Sequence, residues 1–374
     1  MERKRTRVPS GHLRRNVPHI LRKALDRTIP MTRPGCLSAL RVLMKSRPKI
    51  RRLLTFKYAA LLLGLLFLFH LALLTVLVKD EAVLAVISTL AAPVESLLAV
   101  IGLCWAAVSS LRYSRSLFLA WALIAAAQIS WLIGDLVWAV LEVGLGLSPF
   151  PSVADVFYLL YYPLFIAGAL SIPMVRFTRS QWLKLMLDMG IVVLATLLIF
   201  WYFWIGPLME TEATDFMTMV LSLTYPIADF ILMVALFIVL FRRFETQVQG
   251  PILLLAAGVG LQIVTDAVFG YQSTAGTYEG GLLDMGWVAA VYLAGLAGVL
   301  QADALRGAAV SRRTGVFRTE SKAASSWIIY VPYFWLAAAY LLLGYSYGRD
   351  IPMKFTTLMI WVGLIIVLVV VRQI

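Results

Sequence analysis

Gln128, Trp131, Asp135, Trp138 and Glu142 follow one another at spacings of three, four, three and four inside a long apolar run. On a helix that spacing places all five on one face, so a single wall carries an amide, two indoles and two carboxyls. A carboxyl at membrane depth costs on the order of 3 kcal/mol and is retained where it faces protein, water or a ligand. The next apolar run repeats the theme with Asp155, Tyr158 and Tyr162. Such a wall can bind a small ligand, an ion or a protonated group in a vestibule opening outward. The alternative is a set of interhelical hydrogen bonds beside an interfacial aromatic belt.

The pattern recurs. Trp131-Leu-Ile-Gly-Asp135-Leu-Val-Trp138 is followed about 131 residues later by Gln262-Ile-Val-Thr-Asp266-Ala-Val-Phe269. Downstream of each, a Gly/Pro-rich connection leads to a second acid with an aromatic residue three positions on, Asp155 with Tyr158 and Asp284 with Trp287. This predicts a duplicated membrane unit in which helices three and four correspond to helices seven and eight. An even number of intervening spans gives the copies one orientation, a parallel repeat.

Three further acids sit deeper, Glu95, Asp188 and Asp229, the last within Tyr225-Pro226-Ile-Ala-Asp229. No Lys or Arg is expected at comparable depth, so either some of these acids are neutral hydrogen-bond donors or the cluster holds a cation or a protonated ligand. Pro226 frees a backbone carbonyl one turn earlier and either kinks its helix at the site or merely bends it for packing. Enzymatic chemistry has little material. The three histidines are His12, His19 and His70, the first two in the amino-terminal tail, which leaves no basis for a histidine triad or a Cys/His zinc site. His70 reads as a helix-packing polar residue. No phosphate loop or dinucleotide fingerprint occurs, and no catalysis, metal or cofactor is expected.

The elements that must position these residues are set by composition. Of 374 residues 61% are hydrophobic and 14% charged, which excludes an ordinary soluble domain. Apolar runs of about 20 residues, the length of one bilayer crossing, recur along the whole chain. The reading is an all-α, polytopic helical membrane protein with about ten spans, near 56–78, 83–109, 117–146, 153–175, 182–206, 217–241, 251–272, 280–301, 327–347 and 354–372. The formal charge of +13 is concentrated: residues 1–57 hold 17 Lys and Arg against Glu2 and Asp26, and the remainder is slightly acidic. Later cations fall in alternate connections, at Arg112 and Arg115, Arg176, Arg179 and Lys184, Arg242 and Arg243, and Arg306 to Lys322. The positive-inside rule then places both termini in the cytoplasm of a multi-pass cell-membrane protein.

Residues 1–54 form a basic cytoplasmic tail and 55–374 the transmembrane domain. The tail reads as disordered, given Pro18, Pro30, Pro34 and Pro48, or as a surface helix drawn to anionic lipid. Met31 and Met44 offer later starts, and no cleavable signal peptide is visible. Cys36 and Cys104 are not expected to pair in a reducing compartment. No nucleic-acid module accompanies the charge.

The runs Trp131 to Trp138, Pro151-Ser-Val-Ala-Asp155-Val-Phe-Tyr158-Leu-Leu-Tyr-Tyr162-Pro163-Leu and Tyr225-Pro226-Ile-Ala-Asp229 resemble a known membrane region. It is the multi-pass segment at the amino end of many prokaryotic GGDEF/EAL cyclic-di-nucleotide enzymes and sensor histidine kinases. The resemblance covers roughly residues 55–374. It implies a signal-input module whose last helix leads to a cytoplasmic output domain, here standing alone or truncated, with a separate kinase or cyclase as partner. No cyclase, kinase or PAS sequence is present, so no catalytic activity is carried over. A sensor with a site around Gln128, Trp131, Asp135, Trp138, Asp155, Tyr158, Asp229, Asp266, Asp284 and Trp287 is the leading expectation. A secondary transporter that uses the intramembrane carboxylates for proton or cation coupling is the alternative.

Overall fold

A computed structural model of the chain describes residues 55–77, 80–173, 178–206, 216–241, 246–275, 282–314, 330–348 and 355–373. The basic tail lies outside these residues, as do Cys36, Arg242, Arg243 and Lys322. Among the described residues there are ten α-helices and no strand: α1 (Phe56–Ala72), α2 (Glu81–Ser110), α3 (Arg115–Ala139), α4 (Val153–Leu170), α5 (Arg179–Phe200), α6 (Phe216–Leu240), α7 (Thr246–Ala275), α8 (Asp284–Thr314), α9 (Val331–Ser346) and α10 (Phe355–Gln373). All except the shorter α9 lie in spans long and apolar enough to cross a membrane. The all-α polytopic expectation therefore holds. In lipid a segment must satisfy its own backbone hydrogen bonds, which leaves a helix as the form these apolar runs can take.

Two helices run well beyond their expected bounds. Helix α7 begins at Thr246 rather than near 251, and α8 continues to Thr314, well beyond 301. Apolar content marks where lipid ends, whereas helical hydrogen bonding runs on into water; the 31 residues of α8 make a rod of ~46 Å against a hydrocarbon layer of ~30 Å. Pro251 lies inside α7, and its missing N–H orphans the carbonyl four residues earlier. The buried Gln301 of α8 supplies the replacement, donating Nε2 to the Gln247 carbonyl at 3.4 Å.

Six helices close into a ring: α2 packs on α3, α3 on α4, α4 on α6, α6 on α7, α7 on α8, and α8 back on α2. They share one apolar core that includes Leu103, Trp121, Ile124, Phe165, Leu232 and Val259. Helix α5 packs on α6 and gathers α9 and α10 around a second core of Ile191, Leu198, Leu358 and Ile365. Helix α1 lies against α8, burying Leu63 and His70, while Leu61, Leu62, Leu65 and Leu68 are exposed as lipid-facing side chains would be.

The closest seam is between α2 and α8. A Cβ added at Gly102 would stand 2.3 Å from the Gly295 carbonyl oxygen, and one at Gly298 would stand 2.4 Å from the Gly102 oxygen. Backbone meets backbone here, the small-residue packing by which membrane helices gain dispersion contact.

Candidate functional site

Asp135 of α3 is buried and receives two hydroxyls. Ser96 Oγ of α2 donates to Oδ2, and Tyr158 Oη of α4 donates to Oδ1 at 3.0 Å. Helix spacing brings Gly134 under the Tyr158 ring, where an added Cβ would lie 2.7 Å from a ring carbon. Trp131 stacks beside this bond, its ring centroid 4.9 Å from Tyr158 and 5.2 Å from Tyr161. Trp138 donates Nε1 to Glu142 at 2.8 Å, and Thr89 of α2 donates to the same carboxylate oxygen at 2.8 Å.

The second copy repeats this chemistry. Trp287 Nε1 of α8 donates to Asp266 Oδ1 of α7 at 2.7 Å, as Tyr158 does to Asp135. Steric relief changes sides: Gly286 of α8 accommodates Thr265, whereas in the first copy the glycine belongs to α3. One turn before Asp266, Gln262 accepts from Tyr161 Oη of α4 at 3.2 Å.

Between α4 and α6 the seam is polar. Tyr162 Oη donates to Asp229 Oδ1 at 2.9 Å, and Tyr225 Oη donates to Asp155 Oδ1 at 2.6 Å. Asp155 also caps its own helix, its Oδ2 accepting from the Ser152 backbone N–H at 2.7 Å in a reciprocal capping box. Each of the two seam bonds leaves a buried acceptor if its phenol is removed. Tyr162→Phe is therefore expected to lower stability by about 1–3 kcal/mol, read as a lower thermal midpoint in detergent; an unchanged midpoint would show that Asp229 finds another donor.

These contacts extend the repeat beyond the expected two helices to three. Helix α2 carries Pro93 followed by Glu95, and α6 carries Pro226 followed by Asp229. Tyr162 of α4 bonds Asp229 of α6, and Tyr292 of α8 approaches Glu95 of α2 at 3.4 Å. The order of helices around the ring thus divides into two three-helix halves, α2 to α4 and α6 to α8, with a tyrosine of the last helix in each half reaching an acid on the first helix of the other.

Of the residues singled out from sequence, Trp131, Asp135 and Tyr158 meet as one group, Asp266 and Trp287 as another, and Asp155 and Asp229 at the α4–α6 seam. Trp138 stacks on Tyr158 at 6.3 Å between ring centroids. Gln128 is buried with its Nε2 lacking a hydrogen-bond partner, and Asp284 opens α8, half-buried. Of the acids expected to line a water-accessible vestibule, Asp135 (7% exposed) and Asp155 (2%) are enclosed by helices, whereas Glu142, Asp266 and Asp284 are half-buried; the deeper Asp229 is 2% exposed. Ser96, Tyr161 and Tyr292 were not legible as partners. Tyr292 alone left a signal, since it lies 130 residues after Tyr162 and so falls near the repeat period.

One expectation is overturned. Asp188 does have a cation at its depth, because Arg372 of α10 places Nε 2.7 Å from its Oδ1. Arg372 also donates Nη1 to Tyr333 Oη of α9 at 2.9 Å, and Gln373 donates to the same hydroxyl. An arginine counted as the end of one span thereby serves a neighbouring one, since α5 and α10 run side by side. His70 likewise packs as a polar residue, with Glu95 as its partner at 2.8 Å. Among the described residues no three His, Cys, Asp or Glu side chains stand close enough to share a metal ion. No protein-family model, curated protein or solved structure matches the chain.

Proposed function

We propose that the bundle is a membrane signal-input module in which a change at the α4–α6 seam moves α6 and, through α5, the last helix. The observation that carries this reading is the contrast between seams. Backbone contact at Gly102, Gly295 and Gly298 holds α2 to α8, whereas Tyr162–Asp229 and Tyr225–Asp155 bonds tie α4 to α6. Hydrogen bonds of this kind exchange partners when a ligand or ion competes for them, and interdigitated backbones do not. Helix α5 packs on α6 and is tied to α10 by Asp188 and Arg372, a continuous route to the carboxyl-terminal helix. The likeness to the membrane region of cyclic-di-nucleotide enzymes and sensor kinases supports the same reading, with a separate cytoplasmic kinase or cyclase as partner.

The test is a distance measurement. Spin labels on α5 and α10 near the Asp188–Arg372 end, in the full chain in lipid nanodiscs, are expected to give a shifted or broadened distribution when Tyr162 and Tyr225 are both changed to Phe. An unchanged distribution would remove the coupling.

A secondary transporter is the second reading, and a specific feature favours it. Pro93 with Glu95 and Pro226 with Asp229 each set a proline beside a buried acid inside a spanning helix, α2 and α6, and repeat-built transporters place substrate sites where such helices lose backbone hydrogen bonds. Proteoliposomes under a pH gradient separate the two. Proton flux abolished by Asp229→Asn would favour transport, and its absence in the intact chain would favour signalling.

A further inference from the structure

Tyr161 of α4 and Gln262 of α7 belong to helices that are not neighbours in the ring, because α6 stands between them. Both side chains are buried, and Tyr161 Oη donates to Gln262 Oε1 at 3.2 Å, so the contact spans the inner side of α6 instead of lining one seam. The rest of the Gln262 amide is unfinished: the residue is 7% exposed and its Nε2 has no hydrogen-bond partner. Asp266 follows one helical turn later, on the same face of α7. Its Oδ1 accepts from Trp287 at 2.7 Å, while its Oδ2 is enclosed and also lacks a partner. Among the described residues no Lys or Arg forms an ion pair with Asp266, the pairs there being His70 with Glu95, Arg306 with Asp303 and Arg372 with Asp188.

Gln262 Nε2 and Asp266 Oδ2 are a donor and an acceptor one turn apart that do not bond each other. Leaving both enclosed and unpaired costs stability, which a ligand placed between them recovers. The Gln262 amide can meet such a ligand in either of two orientations. The Tyr161 hydroxyl both donates and accepts, so it keeps a bond to the amide whether Oε1 or Nε2 faces it. With Nε2 turned toward Tyr161, Gln262 Oε1 and Asp266 Oδ2 become two acceptors with no donor between them. That pair calls for a cation that carries N–H bonds.

We propose that Gln262 and Asp266 form a binding site for a small alkylammonium cation inside the helix ring. Its charge offsets the Asp266 carboxylate, and its N–H bonds point at Oδ2 and at the Gln262 oxygen, the short charge-assisted contacts that bind most strongly. Calcium or magnesium asks for about six oxygen ligands, more than these two residues offer. The neighbouring rings suit an alkyl substituent: Trp287 is bonded to Asp266, and Trp131 packs on Tyr161 with ring centroids 5.2 Å apart. Tyr162, next to Tyr161 on α4, holds Asp229 across the α4–α6 seam. A ligand that draws on the partner of Tyr161 therefore acts beside the seam at which the signalling reading places its trigger. The effect of binding rests on that reading; binding itself does not.

Methylammonium is the probe. With the full chain in lipid nanodiscs, at neutral pH and constant ionic strength, replacing sodium by methylammonium is expected to raise the thermal midpoint saturably, as a ligand of the folded state does. Tetramethylammonium, which has no N–H bond, is expected to give no rise. Asp266→Asn is expected to weaken the response about tenfold or more, the loss of a charge-assisted hydrogen bond. Gln262→Met, of similar volume and without the amide, is expected to weaken it as well, and decides the matter if Asp266→Asn does not fold. The site is overturned if methylammonium has no effect on the intact chain, or if tetramethylammonium, or potassium in place of sodium, raises the midpoint equally. A methylammonium response unchanged in these variants overturns it too, leaving Gln262 and Asp266 as packing residues. A saturable rise with an unchanged α5–α10 distance distribution supports the site and counts against the signalling route alone.

Discussion

Gly298→Val is expected to lower stability by about 3 kcal/mol or more, the upper end of what overpacking a membrane or soluble core inflicts. The reason lies in what the new side chain would strike. A Cβ at 298 would stand 2.4 Å from the Gly102 oxygen, 2.5 Å from its carbonyl carbon and 2.7 Å from the Leu103 nitrogen. All three are backbone atoms of α2 and cannot rotate aside as a side chain would. The helices must separate, which strips dispersion contact from a seam that rests on backbone proximity. Since α2 and α8 are the members at which the six-helix ring closes, loss of this seam is expected to broaden the unfolding transition as well as lower it. Gly260 provides the comparison, because an added Cβ there meets nothing within 4 Å. Gly260→Ala is expected to be neutral or to stabilise by about 0.5–1 kcal/mol through reduced backbone entropy of the unfolded chain. Thermal or chemical unfolding in detergent micelles measures both, and equal midpoints for the two variants would show that the seam is not close-packed.

Arg372→Met is expected to lower stability by about 3 kcal/mol, the lower end of the range for breaking a buried ion pair. Asp188 is buried, and without Arg372 its carboxylate would face the apolar contact of α5 and α10 unpaired. The guanidinium is partly exposed at the end of α10, which is why the upper end of the range is not expected. The loss should depend on the charge left behind rather than on the missing arginine stem. Asp188→Leu combined with Arg372→Met is therefore expected to recover most of the stability, to within about 1 kcal/mol of the starting protein. A double variant as unstable as Arg372→Met alone would mean that Tyr333 and the packing of α10 carry the contact. Spin labels near the same pair report on the signalling proposal, so stability and coupling can be compared in one set of variants.

The ten helices were legible because each needs only a local condition, an apolar run of sufficient length. The face shared by Trp131, Asp135 and Trp138 was legible for a similar reason, since helical period acts within a few turns. The repeat was half-visible. Asp135 and Asp266 announce it through matching neighbours, but Glu95 and Asp229 sit at different distances from their prolines, and the third helix of each half emerged through the bonds from Tyr292 and Tyr162. The pairing of Asp188 with Arg372 was not legible because the two lie 184 residues apart in sequence.

Composition and spacing alone determined that this chain lies in a membrane as a helical bundle and that its acids gather on inward faces. Both follow from forces that act along a few turns of chain: internal backbone hydrogen bonding and the cost of exposing a carboxyl to lipid. The tertiary structure decided which donor each acid meets. That choice depends on the order of helices around the ring and on their vertical register, quantities set by side-chain volume at seams such as Gly102 against Gly298. An enclosed carboxyl takes whichever hydroxyl, indole or guanidinium the neighbouring helix holds at its own height, and the neighbour in space is seldom the neighbour in sequence.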